Sequence, residues 1–229
     1  MKIPNLFVVA LLSVVFVAGT ASAATFTIIN GDSSGEGLND PTAVAAVGGN
    51  TGTTLGEQRM NVLQAAADQW GALIESSVEI RISAQFNSLD CAVLGSTGPG
   101  PVFRNGPGAP VAGVWFHSAT ADSITGVDQD PGSADFFIQY NSDWDGVTCP
   151  SGFYYGLDGN EPLGTEDLFP VVLHEMGHGL GFASLVNPAT GVWWSGAPDI
   201  FSVYTLDVTA GLHWNEMSSS SQRQASAIN

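Results

Sequence analysis

Three residues of the types that metal-dependent hydrolysis requires lie close together in this sequence: His174, Glu175 and His178. On a helix, side chains four residues apart leave the same face one turn apart, so the two imidazoles could bind one metal ion. A glutamate beside such a pair can take a proton from water as a general base. The spacing therefore predicts a catalytic Zn2+ site on a helix, with Glu175 as the base.

The histidine pair needs a third ligand, because a catalytic zinc ion takes three protein ligands and keeps a fourth position open. His213 is the only histidine downstream of the motif, and we favour it. Glu216, which lies 38 positions after His178, is the alternative, because a glutamate at such a distance completes the zinc site of thermolysin-like enzymes. Asp199 and Asp207 are weaker candidates. The competing interpretation is a surface helix that carries these residue types by chance.

The segment His174–Phe182, followed after a gap by His213-Trp214 and Met217, resembles the leishmanolysin-like branch of the metzincin metalloproteases. In that branch, the pattern His-Glu-x-x-His-x-x-Gly-Phe is separated by an insertion from a downstream histidine. Ordinary metzincins carry their third histidine where this chain has Ser184, and a neutral serine is a poor zinc ligand. The resemblance therefore implies that His213 is the third ligand.

This resemblance covers residues 165 to 217 and implies a metzincin-like zincin fold. Such a fold has a twisted mixed sheet, a long helix in the N-terminal lobe and an active-site helix that carries the His-Glu-x-x-His motif. It also has a methionine beneath the zinc, for which Met217 is the candidate. A core or surface methionine is an equal alternative for Met217. The sequence is also similar to the first part of secreted bacterial hydrolases.

Residues 1–23 have the pattern of an export signal, with a charged start at Lys2, an apolar run at 6–18 and small residues at 21–23. An uncleaved membrane anchor is the weaker alternative, because the apolar run is short. We therefore expect a protein that is secreted outside the cell or into the periplasm, with residues 24–229 as one zinc metallopeptidase catalytic domain. The sequence ends without a terminating signal, as a fragment of a longer protein would.

The charge of the chain limits its partners. Its 22 acidic and five basic residues give a formal net charge of −17, which argues against binding to nucleic acid or to an anionic membrane. The acids cluster in polar loops at 128–130, 143–145 and 158–160, where Ca2+ could bind. The favoured interpretation of these loops is a solvated surface, because none has the spacing of a known calcium loop.

The two cysteines, Cys91 and Cys149, are expected to form a disulfide, because an exported chain enters an oxidising compartment. A cysteine ligand for the zinc is the less favoured alternative, since oxidised cysteines cannot act as thiolate ligands.

Hydrophobic periodicity predicts an α+β domain. Thr54 and Glu57 form a capping-box pattern before the first helix, and Asp167 is the predicted N-cap of the motif helix. His117, alone in an apolar strand, is more typical of a packed residue than of a ligand. The predicted elements are strands at 25–30, 78–86, 111–117 and 134–140, helices at 55–76 and 168–180, and a strand or short helix at 200–208.

The most specific function that these patterns indicate is a zinc endopeptidase acting on a protein or peptide substrate. The strand predicted at 134–140 could lie along the cleft and pair with an extended peptide. One alternative is a secreted binding or adhesion module whose zinc site is structural or lost. Another is a zinc hydrolase of a non-peptide amide bond.

Overall fold

The computed structural model describes residues 23–228, so all of the export signal predicted at 1–23 except its last residue lies outside the described residues. The described chain is a mixed α+β structure built on a four-stranded sheet, which confirms the predicted fold class at that level. The helices are α1 (Leu55–Leu73), α2 (Ser118–Thr125), α3 (Leu168–Gly179), α4 (Ile200–Tyr204) and α5 (Ser220–Ala227). The strands are β1 (Phe26–Asn30), β2 (Ile80–Asn87), β3 (Gly95–Pro99), β4 (Val102–Arg104), β5 (Trp115–His117), β6 (Phe136–Asn141), β7 (Gly152–Tyr154), β8 (Thr165–Asp167), β9 (Leu206–Asp207) and β10 (Leu212–His213).

The main sheet has the strand order β1-β2-β6-β3. The first three strands run parallel to their neighbours, and β3 pairs antiparallel with β6. Parallel neighbours need a crossover connection, which α1 provides between β1 and β2. Because β6 is paired on both edges, the prediction that this strand adds a peptide substrate is wrong. The edge strand beside it is β3.

The hydrophobic core lies between the main sheet and the helices α1 and α3. In β2, buried and partly exposed residues alternate, as expected for a strand with one face in the core. In α1 and α3, the buried residues recur every three to four positions, as expected for helices with one face in the core. The apolar side chains at the centre of this core are Val62, Leu63, Ala66, Ile80, Ile82, Ala84, Phe86, Leu168, Val172 and Met176.

The helix α1 begins where the sequence predicted and ends three residues earlier. The Glu57 main-chain N–H donates to the Thr54 hydroxyl at 3.2 Å, and the Thr54 N–H donates to the Glu57 carboxylate at 3.1 Å, which completes the capping box. At the other end Ile74 is extended, and its carbonyl accepts a hydrogen bond from the Ala24 N–H at 3.1 Å. Pairing with the chain before β1 therefore ends the helix.

Two further predictions are refined by the structure. The strand predicted at 111–117 is confined to β5, because Gly113 has a φ of +79°, which breaks the extended conformation. The segment 200–208 forms α4 followed by β9.

The predicted disulfide between Cys91 and Cys149 is confirmed, and it joins the loop before β3 to the loop after β6. No helix within residues 23–228 is long and apolar enough to cross a membrane.

Candidate functional site

Each end of the motif helix α3 is fixed by one of its terminal residues, Asp167 and Gly179. At its start the Asp167 carboxylate accepts a hydrogen bond from the Phe169 N–H at 2.9 Å, as an N-cap should. Burial raises the pKa of Asp167, and this hydrogen bond only partly offsets that effect. At its end Gly179 lies against Phe136 of β6, where any Cβ would overlap the ring. The close approach to the sheet therefore requires glycine at position 179.

The two histidines of the motif converge on one point. The Nε2 atoms of His174 and His178 are 3.0 Å apart, and their rings are nearly perpendicular at 84°. Two nitrogen ligands of one tetrahedral zinc ion lie about 3.3 Å apart when each bond is about 2.0–2.1 Å. The observed separation is thus close to the one that two imidazole ligands need.

The protonation of His178 is set by a main-chain oxygen. Its Nδ1 atom lies 2.8 Å from the carbonyl oxygen of Phe182, and because a carbonyl can only accept, Nδ1 must carry the proton. In the neutral ring, Nε2 then presents a lone pair toward His174. In metal sites, the N–H of the ligand histidine's second ring nitrogen usually donates a hydrogen bond to such a carbonyl or to a carboxylate. These residues therefore fit two positions of a zinc site.

The carboxylate of Glu175 is buried and is held by a residue of β3. The hydroxyl oxygen of Thr97 lies 2.8 Å from Glu175 Oε2 and 2.8 Å from the Glu175 main-chain oxygen. Burial raises the pKa of Tyr140 well above its usual value, and the nearby charge of Glu175 adds to this effect. The Tyr140 hydroxyl has no hydrogen-bond partner among the described residues.

His174 and Glu175 line one open cleft of about 690 Å³. Three acidic residues and the loop that leads into β3 also line it. The other lining residues are Ala92, Val93, Leu94, Gly95, Glu161, Glu166, Asp167, Pro170 and Val171. The cleft therefore brings the predicted base and one predicted metal ligand to a negatively charged surface.

Ser184, which occupies the position of the third histidine in ordinary metzincins, is part of a buried hydrogen-bond network. Its hydroxyl donates to Asp199 Oδ2 at 3.0 Å, and the Leu185 N–H donates to the same oxygen at 2.9 Å. The other carboxylate oxygen of Asp199 accepts from the Ser202 N–H and so caps α4. Both carboxylate oxygens of Asp199 therefore already accept hydrogen bonds from other groups of the protein.

The structure places the predicted third ligands in the C-terminal segment. His213 ends β10, and its N–H donates to the Glu216 carboxylate at 2.8 Å. Met217 is buried, and its carbonyl accepts a hydrogen bond from Arg223 at 2.8 Å. Within residues 23–228, no three His, Cys, Asp or Glu side chains are gathered so that they could hold one metal ion. Neither His213 nor Glu216 thus joins the histidine pair in this structure.

His117 is packed beneath the turn that follows α3. The residue is 2 % exposed, and a Cβ on Gly181 would lie 3.6 Å from its Nδ1 atom. Burial lowers the pKa of His117, and the negative charge of Asp199 only partly opposes this.

The contacts that the sequence did not predict are those of Thr97 with Glu175 and of Phe182 with His178. The segment Gly95–Pro99 is polar and rich in glycine, so its only strand signal is one threonine between small residues. The Phe182 contact uses a main-chain oxygen, which no residue type encodes.

No model of a known protein family matches the chain. No curated protein and no solved structure matches it either.

Proposed function

We propose that this protein is a secreted zinc-dependent endopeptidase of the metzincin kind, with Glu175 as its general base. The observation that carries the proposal is the convergence of His174 and His178, whose Nε2 atoms are 3.0 Å apart. A chance pair of surface histidines has no need of the bond that holds His178 Nδ1 to the Phe182 carbonyl. The pair is therefore better explained as a site for a cation.

His174 and His178 would hold the zinc ion, and we propose His213 as the third ligand with Glu216 as the alternative. Bound zinc supplies a Lewis acid that polarises the peptide carbonyl and lowers the pKa of water to about 7. His213 lies apart from His174 and His178 in this structure. Its role as a ligand is therefore tested by a variant of its own.

Glu175 would take a proton from the attacking water and pass it to the leaving amine. One of its carboxylate oxygens accepts a hydrogen bond from Thr97, so the other remains available as a proton acceptor. Its burial beside His174 keeps the carboxylate in one place within the cleft. The base is thus oriented before a substrate binds.

The cleft supports a peptide as the substrate. Within the described residues, β3 pairs with β6 alone, so its second edge is available to an extended peptide. The acidic residues that line the cleft favour basic side chains in that peptide through charge complementarity. The disulfide between Cys91 and Cys149 supports export, because such bonds persist in oxidising compartments.

A second candidate function is a secreted binding module whose zinc site is lost. The observation that favours it is the lack, within residues 23–228, of a third metal-binding side chain beside His174 and His178. This candidate predicts weak zinc binding and no cleavage.

Zinc content and peptide cleavage, measured on the same sample, test the two candidates. We expect one zinc per chain and cleavage of a mixed peptide library that a chelator abolishes and added zinc restores. Glu175→Gln should keep the zinc and lose cleavage, because an amide cannot act as the base. A wild-type chain that binds zinc but cleaves no peptide would overturn the endopeptidase proposal.

A further inference from the structure

A threonine of the edge strand β3 holds the predicted base from outside its own helix. Thr97 lies 78 positions before Glu175 in the sequence, yet its hydroxyl is 2.8 Å from Glu175 Oε2. The same hydroxyl is 2.8 Å from the main-chain oxygen of Glu175. One side chain therefore contacts both the functional group of the base and the backbone that carries it.

The hydroxyl has one proton for these two acceptors. A bond to an ionised carboxylate is shorter and stronger than a bond to a neutral carbonyl. When Glu175 is ionised, its carboxylate oxygen therefore takes the larger share of the Thr97 proton. This bond selects one orientation of the carboxylate and leaves its second oxygen for the substrate side.

The pairing of β3 with β6 explains why Thr97 reaches the base. In the antiparallel register Thr97 lies opposite Ile138, and Gly95 lies opposite Tyr140. Side chains two residues apart on a strand share a face, so positions 95 and 97 both face the core side, where Ile138 and Tyr140 are buried. A shift of one residue in this register would turn Thr97 away from α3.

Gly95 supplies the space that the carboxylate needs. A Cβ at this position would lie 3.2 Å from the Glu175 Cγ atom and 3.0 Å from the ring of Tyr140. These distances are tighter than ordinary van der Waals contact, so a larger residue would crowd both the glutamate and the tyrosine. The two positions of β3 therefore act on the same side chain, one by a hydrogen bond and one by leaving room.

We propose that Thr97 is a positioning residue for Glu175, holding the carboxylate in the orientation that proton transfer requires. This proposal rests on the proposed function. A purely structural bond between β3 and α3 would also explain the contact with the Glu175 main chain. The bond to the carboxylate distinguishes the two roles, because only the positioning role needs the hydrogen bond from Thr97 to Glu175 Oε2.

The first test separates turnover from binding. Thr97→Val removes the hydroxyl and preserves the shape of the side chain. We expect kcat to fall about 10–100-fold while KM and zinc content stay near wild type, because misplacing a catalytic group slows the reaction without removing substrate contacts. Thr97→Ser keeps the hydroxyl and should restore most of the rate.

Thr27→Val is the matched control. The Thr27 hydroxyl also donates to a glutamate, Glu79, on the exposed side of β1. This variant removes the same chemical group from the same kind of bond, far from the cleft residues in the sheet order. It should leave kcat unchanged.

The second test needs no activity. The melting temperature is measured for Thr97→Val, Glu175→Ala and the double variant without metal. If the hydroxyl holds the carboxylate, Thr97→Val should lower the melting temperature less in the Glu175→Ala background than in the wild type. Additive shifts would overturn the proposal, as would an unchanged kcat in Thr97→Val.

The two proposals fail in different ways. If the zinc-loaded wild type cleaves no peptide, the proposed function fails and the catalytic part of this inference fails with it. If the wild type cleaves and Thr97→Val retains its kcat, the proposed function stands and the positioning role alone is wrong.

Discussion

The Nδ1 atom of His178 and the carbonyl oxygen of Phe182 lie 2.8 Å apart, so a loop rather than the helix orients this predicted ligand. That carbonyl follows Gly181, whose φ is +112°. The loop is held in turn by Thr120 of α2, whose hydroxyl donates to the Leu180 carbonyl at 2.8 Å. The proposed metal site therefore depends on an element outside the motif.

We expect Gly181→Ala to weaken zinc binding about 10–100-fold. This is the typical effect of losing a group that hydrogen-bonds to a metal ligand. Alanine rarely adopts the positive φ at this position, and its Cβ would meet the Thr120 hydroxyl at 3.0 Å. The turn must then shift, and the Phe182 carbonyl shifts with it. Competition with a calibrated chelator measures the affinity.

The control for this variant is Gly35→Ala. Gly35 also has a positive φ, of +89°, but nothing lies within 4 Å of its Cβ position. Gly35→Ala should lose about as much stability as Gly181→Ala, because alanine is strained at positive φ in both variants. It should keep its zinc affinity. An equal loss of zinc affinity in both variants would contradict the role of the turn.

The third ligand is tested by removing each candidate. We expect His213→Ala to reduce zinc affinity by more than about 10–100-fold. That range is typical of losing a group that hydrogen-bonds to a metal ligand, whereas this variant removes a proposed ligand itself. Glu216→Gln should keep the zinc, because His213 is the proposed third ligand and the glutamine side-chain oxygen can still accept the hydrogen bond from the His213 N–H. Zinc per chain after dialysis is the measurement, and full occupancy in His213→Ala would rule out this ligand.

Loss of the disulfide should destabilise the fold. Cys91 and Cys149 are separated by 58 positions, for which a chain-entropy estimate gives about 4 kcal/mol, or roughly 8–16 °C in melting temperature. The Cys91→Ser, Cys149→Ser double variant should melt lower than the oxidised wild type. A reducing agent should lower the melting temperature of the wild type and leave that of the variant unchanged. Equal melting temperatures would contradict a stabilising bond.

His117 should make stability depend on pH. Because burial lowers its pKa in the folded protein, the unfolded chain takes up a proton first as the pH falls. Well above pH 6.5, the ordinary pKa of histidine, His117 should therefore contribute nothing to the free energy of unfolding. As the pH falls below that value, the free energy of unfolding should decrease. Denaturant titrations between about pH 7.5 and 5.5 measure this slope.

His117→Gln removes the titrating group and should flatten that slope. The other described histidines are present in both proteins, so their contribution cancels in the comparison. A slope that is the same in wild type and variant would assign the pH dependence to other groups.

The helices α1 and α3 were predicted from the sequence because their signals are local. The capping box of Thr54 and Glu57 and the N-cap at Asp167 each act within three residues, and both form as expected. The strand β3 was not predicted, because the sequence Gly95–Pro99 has little apolar character. It becomes a strand by pairing with β6, a partner about 40 residues away.

The sequence by itself determined which chemistry can be proposed for this protein, because residue identity and a four-residue spacing are enough to place His174 and His178 on one helix face. Only the tertiary structure decided which groups hold these residues. Thr97 reaches Glu175 through the register of β3 on β6, and Ser184 is bound by Asp199 at the start of α4. Such contacts join distant parts of the chain, and their geometry follows from packing that no local pattern encodes.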